Sequence, residues 1–297
     1  MKQSIKLVVL IALSTGLQSV RGADDDLLEV YVVNYTLQYF ASRITGGHAR
    51  VEFPAPRDSD PVFWKPSIAT INDYQKADLI LLNGAGYAKW LSGATLPRAK
   101  LVNTSSAFSD RYIKIGGEAT HSHGPSGSHS HTGTAFTTWL DFQQAILQAR
   151  AIAEELVSKR AGLKDTFEHQ LDLLERELLA IDSELMEIGE KTPGIPLVAS
   201  HPVYQYLARR YGLNLRSVQW EPREAPTDEQ WAELVGILDA HPARWMIWES
   251  EPTKETQERL AMLGIESLVF NPGANVPESG DWLDLMRENV DNLKQIL

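Results

Sequence analysis

Four of the chain's eight histidines, His121, His123, His129 and His131, fall within eleven residues as two H-x-H pairs. Imidazoles so closely spaced can share a borderline cation such as zinc, copper or nickel. A loop offers no rigid cage, so such a site is weak and exchangeable. A second set of donors stands just past predicted strand ends. His201 follows a strand at Ile195–Ala199, Glu249 follows Arg244–Trp248, and Asn271 follows Ser267–Phe270. In open parallel sheets that edge is where ligands bind. An imidazole beside a carboxylate suits a cation, with Glu249 either a ligand or the acceptor that orients the ring. His48, His169 and His241 read as surface residues without a role.

The element that positions both sets is the stretch from Leu163 to Glu190. Leu163, Phe167, Leu171, Leu174, Leu178, Ile181, Leu185 and Ile188 recur at steps of three and four, which predicts one long amphipathic helix. At 1.5 Å per residue it spans about 40 Å, too long for an ordinary crossover helix. Gly189 and Lys191, with Pro193 just beyond, read as its stop. No second heptad run follows, which argues against a coiled-coil arm. Strands and helices alternate on both sides of it. The expected architecture is therefore α/β: two lobes, each a mainly parallel sheet flanked by helices, joined by one long rigid helix. The boundaries expected are 23–162 for the first lobe, 163–190 for the helix and 191–297 for the second lobe. Residues 116–133, GGEATHSHGPSGSHSHTG, interrupt the first lobe as a low-complexity surface loop.

Composition narrows the function. The chain has no cysteine, which excludes thiolate metal sites, cysteine nucleophiles and disulfides. A net charge of −11 disfavours nucleic acid and suits cations. Residues 1–22 read as a secretory signal peptide, with Lys2 and Lys6 before the apolar run Leu7–Ala12 and small residues at Val20 and Gly22. No cysteine follows that run to carry a lipid, so a soluble periplasmic protein is expected. No nucleophile–base pair, second-metal carboxylate cluster or phosphate-cradling glycine loop followed by lysine is present, so no enzyme activity is expected.

Several segments, in order, resemble the periplasmic solute-binding proteins of zinc and manganese ABC transporters. They are KADLILLNGAGYAKWL (76–91), the histidine-rich loop before WLDF (139–142), SHPVYQYLARRYGL (200–213), residues 221–234, IWESEPTKETQERL (247–260) and DWLDLMRENVDNLKQIL (281–297). The resemblance covers nearly the whole chain after residue 22. It implies a cleft between the lobes where three histidines and a carboxylate hold the metal, with an ABC permease as partner. Only His201 of those four is kept. Val62, Thr137 and Asn271 stand at the other three positions, and the usual tetrahedral zinc cage cannot form from them.

Two readings follow from this departure. In the first, a monomeric receptor binds Zn2+ or a related divalent cation through a rebuilt site of His201, Glu249, Asp60 (two residues before Val62) and the loop histidines. In the second, the receptor fold no longer binds metal in its cleft, and the protein is a loop-based metal buffer or a partner-binding module. Little hinge motion is expected, because no proline or glycine interrupts Leu163–Ile188.

Overall fold

Apolar runs of four residues, too short for helices, form the centres of two parallel sheets. A computed structural model describes residues 27–115, 120–122, 128–130 and 133–297. The expected signal peptide and the histidines His123 and His131 lie outside the described residues. The first sheet contains Leu28–Val32 (β1), Ala49–Glu52 (β2), Leu79–Leu82 (β3) and Leu101–Asn103 (β4), in the order β2-β1-β3-β4. All its pairs are parallel. Tyr35–Thr45 (α1) connects β1 to β2, and its N-cap Asn34 accepts from Leu37 N. Ile68–Lys76 (α2) precedes β3.

The histidine-rich stretch is not wholly irregular. Lys114–Ile115 (β5) pairs with Gly133–Thr134 (β8), and Thr120–Ser122 (β6) pairs with Ser128–Ser130 (β7), both antiparallel. His121 and His129 are register partners there. Turn-forming Gly124, Pro125 and Gly127 lie between β6 and β7 in the sequence. Thr138–Leu140 is a 3-10 turn, and Asp141 caps the helix Phe142–Lys159 (α3). Lys89–Gly93 is also a 3-10 turn, preceded by Ala85 with a positive φ of 50°.

The long helix runs from Lys164 to Lys191 (α4). Its stripe of Phe167, Leu174, Leu178, Ile181, Leu185 and Ile188 is buried in one hydrophobic cluster that extends through both lobes. The helix ends at Lys191, within the expected stop, and Gly189 lies inside its last turn. A Cβ on Gly189 would lie 1.9 Å from the Tyr211 carbonyl oxygen, so the glycine permits a close helix approach. Gly189→Ala, which should favour an isolated helix, is expected to lower stability by about 1–3 kcal/mol through overpacking. Urea denaturation checks this.

The second lobe repeats the first. Pro196–Ala199 (β9), Asn214–Ser217 (β10), Trp245–Trp248 (β11) and Glu266–Val269 (β12) form a parallel sheet in the order β10-β9-β11-β12. Gln205–Tyr211 (α5), Asp228–Ala240 (α6), Lys254–Met262 (α7) and Trp282–Leu293 (α8) flank it. The lobes are joined beside α4 as well. Trp139 Nε1 donates to Pro272 O (2.7 Å), Tyr35 N to Ala274 O (2.9 Å) and Tyr206 Oη to Ala135 O (3.0 Å). Trp282 of α8 packs against Phe40 of α1, with ring centroids 5.1 Å apart.

Candidate metal centre

In the second sheet the backbone ladder runs one residue past the strands. Ser200 N donates to Ile247 O (2.8 Å) and Trp220 N to Ser200 O (2.7 Å). Phe270 N donates to Trp248 O (2.8 Å). These bonds hold the next residues, His201, Glu221 and Glu249, at one edge. Trp220 and Trp248, fully buried just before the two glutamates, stack with each other at 6.1 Å, and Trp220 with Trp231 at 4.6 Å.

His201 is 7% exposed. Its Nδ1 lies 2.9 Å from Glu249 Oε1. An ionised carboxylate only accepts, so Nδ1–H donates and Nε2 becomes the neutral ring's electron-pair donor. Nε2 lies 3.9 Å from Glu221 Oε1. Two donors at that separation can each stand about 2 Å from one cation between them.

Asp60, from the first lobe, is near enough for its charge to act on His201, Glu221 and Glu249. Its Oδ1 accepts from Val62 N at 2.9 Å. Its side chain is solvent-exposed. Desolvation by nearby protein still raises its pKa to about 6. Glu249 and Glu221 push in the same direction, while the Val62 amide and His201 oppose. Burial alone would lower the His201 pKa, but the bond to Glu249 and the charges of Glu249, Glu221 and Asp60 outweigh it, and the net shift is upward. The cluster therefore favours positive charge at the imidazole.

Among the described residues no three histidine, aspartate or glutamate side chains are already gathered as ligands of one ion. The donors present are one imidazole and three carboxylates. They fit a divalent cation chemically, and they are richer in oxygen than a zinc cage of three histidines.

The other three resemblance positions have become structural contacts. Val62 is buried at 2% exposure. Thr137 Oγ1 donates across the lobes to Val203 O, two residues from His201. Asn271 Oδ1 accepts from Gly273 N at 2.8 Å, and its backbone is clasped by Asn289. Thus His201 and Glu249 are in contact, and Asp60 is linked to them only through its charge. No side-chain placement is described for His121 or His129. Glu221 was not among the expected donors, although Trp-Glu at 220–221 repeats the Trp-Glu at 248–249. His241 is not a surface residue. It is 4% exposed, and its Nε2 bonds Leu197 O at 2.9 Å, a structural role.

Comparison with known proteins agrees with this architecture. Residues 30–296 match the family model described as zinc-uptake complex component A, periplasmic. The zinc-binding lipoprotein AdcA of Streptococcus pneumoniae serotype 4 is 25% identical over 99% of this chain. This chain spans only 60% of that relative's length. The manganese ABC transporter substrate-binding lipoprotein PsaA of Streptococcus pneumoniae is 26% identical, covering 96% of this chain and 93% of its own. In fold, the chain is similar to the metal-dependent lipoprotein YcdH of Bacillus subtilis, with a TM-score of 0.77 at 20% identity, over 91% of this chain and 99% of that one.

Proposed function

Because the chain belongs to the zinc-uptake component A family, a family of transport proteins rather than enzymes, we propose that it is the exported, monomeric receptor of a metal ABC system. It holds one divalent cation at His201 in the interlobe cleft and passes it to an inner-membrane permease. The observation that carries this reading is the His201 imidazole, oriented by Glu249, with Nε2 and Glu221 Oε1 3.9 Å apart. Zinc is the first expectation, as the names of the family and of AdcA suggest. The oxygen-rich donor set and the named cargo of PsaA keep manganese in view. His121, His123, His129 and His131 serve as a capture loop that raises the encounter rate near the cleft.

A second reading rests on the conversion of Val62, Thr137 and Asn271 into structural contacts. In it the cleft is closed to metal and the loop alone binds, as a buffer. Titration with Zn2+ separates the two. Deletion of residues 116–133 leaves one tight equivalent under the first reading and abolishes binding under the second.

Acid should act oppositely on the empty and loaded protein. Both His201 and Asp60 have folded-state pKa values raised above their ordinary 6.5 and 3.8. Their contribution to stability of the empty protein is therefore fully present below those ordinary values and is lost as pH rises through the folded ones. A bound cation requires the opposite protonation states. Lowering the pH from about 7.5 to 5.5 should thus narrow the gap in melting temperature between zinc-loaded and empty protein. Calorimetric melting at both pH values checks this, and a constant gap contradicts it.

A further inference from the structure

Charge is spread unevenly along the chain. Residues 27–162 carry 13 lysines and arginines against 11 acids, and residues 163–297 carry 12 against 25. The acidic character therefore lies in α4 and the second lobe. Between Asp78 and Asp110 of the first lobe stand Lys89, Arg98 and Lys100 and no acid at all.

Two segments of that lobe meet beside the Asp60 loop. Trp64 N donates to Asp60 O at 2.9 Å, and Lys89 N donates to Val62 O at 3.3 Å. The Trp64 ring stands edge-on to Trp90, with centroids 6.5 Å apart, and Trp90 tilts against Tyr74 of α2 at 5.0 Å. Both tryptophans are half-buried, whereas Lys65 and Lys89 beside them are exposed. Neither lysine is in an ion pair among the described residues, while Lys76 further along α2 pairs with Asp73 at 2.9 Å. Ile68, the first residue of α2, is 80% exposed. It shares with Met262 the highest exposure of any large apolar side chain among the described residues. Unpaired lysines attract phosphate, tryptophan rings settle at the boundary between lipid and water, and an apolar tip gains by entering it. The net charge of −11 does not forbid this, because salt screens fields beyond about 8 Å and leaves a local positive surface free to act.

We propose that Trp64, Lys65, Ile68 and Lys89 form a docking surface for an anionic phospholipid bilayer, which turns the Asp60 side of the cleft toward the membrane. This rests on the reading that the chain is exported and works beside a membrane. Charge complementarity selects the occupant: the second lobe would be repelled by the same lipid, so the molecule approaches it by one face.

Cosedimentation of the full chain with vesicles of phosphatidylcholine and phosphatidylglycerol in equal parts tests this. Binding is expected to these vesicles and not to phosphatidylcholine alone, and to weaken as salt is raised. Lys65→Gln should weaken it about fivefold, the effect of one lysine at a charged surface, and Ile68→Ser about tenfold. Both side chains are exposed, so the core is untouched. Met262→Ser, at an equally exposed position on the acidic lobe, should change nothing. Absence of binding overturns the proposal, as does equal binding to phosphatidylcholine alone, sedimentation without vesicles, unchanged binding in Lys65→Gln, or a loss in Met262→Ser as large as in Ile68→Ser. Zn2+ titration reads the receptor function separately. A protein that binds these vesicles but no cation keeps the docking surface and overturns the receptor reading.

Discussion

Replacing His201 by alanine is expected to weaken cation binding by at least about tenfold, roughly 1.4 kcal/mol, while the melting temperature of the empty protein changes little. The imidazole approaches both Glu221 and Glu249, through Nε2 and Nδ1. Its loss leaves carboxylates alone, a poor set for zinc. Stability should be spared because its bonded partner Glu249 is half-buried and water can replace the ring there. Glu249→Gln should also weaken binding, by about tenfold, the lower end of the usual effect of losing the partner that orients a ligating imidazole. Calorimetry on both variants checks this. Unchanged affinity in His201→Ala would leave only the histidine-rich loop as a binding site.

Asp182→Ala should give the largest loss of stability, about 3–5 kcal/mol, the scale for removing one partner of a buried ion pair. Asp182 of α4 is 6% exposed. It accepts from Arg210 Nε and Nη2 at 3.0 and 2.8 Å, from Tyr211 Oη at 2.9 Å and from Gln143 Nε2 at 2.7 Å. It therefore ties the long helix to α3 of the first lobe and α5 of the second at one point. Burial alone would raise its pKa, but the bonds from Arg210, Gln143 and Tyr211 outweigh this and hold it below the ordinary 3.8. A depressed carboxylate contributes stability above its unfolded pKa and loses it as pH falls through the folded one. The pair should therefore hold at neutral pH and fail only in strong acid. Urea denaturation at pH 7 measures the loss. A change under about 1 kcal/mol would mean that the pair behaves as an exposed one.

The architecture was legible in the sequence because its signals are local. Short apolar runs such as Leu79–Leu82 and the three-four spacing from Phe167 to Ile188 each specify an element without reference to distant residues. The family resemblance also held, and with it the fold. Of the candidate site, the strand-edge rule pointed to His201 and Glu249, whose side chains lie 2.9 Å apart. It missed Glu221 because Pro222 and the charged stretch after it made the segment read as loop, although the ladder bond from Trp220 N to Ser200 O extends to its threshold. What remains is tertiary. Gly189 reads only as part of a helix stop until the carbonyl of Tyr211 is seen against it. His241 looks like a surface residue until Leu197 O is found as its acceptor. Thr137 looks like a lost ligand, and only the folded chain reveals its bond to Val203 O across the lobes.

The central claim is that a cation sits in the cleft against His201. An anomalous difference map at the zinc edge, from crystals of the full chain loaded with one equivalent of Zn2+, tests it most directly. The expected result is a single peak about 2 Å from His201 Nε2, between the Glu221 and Asp60 carboxylates, with Glu249 still bonded to Nδ1. A peak held only by the histidines between residues 121 and 131, with no density in the cleft, would contradict it.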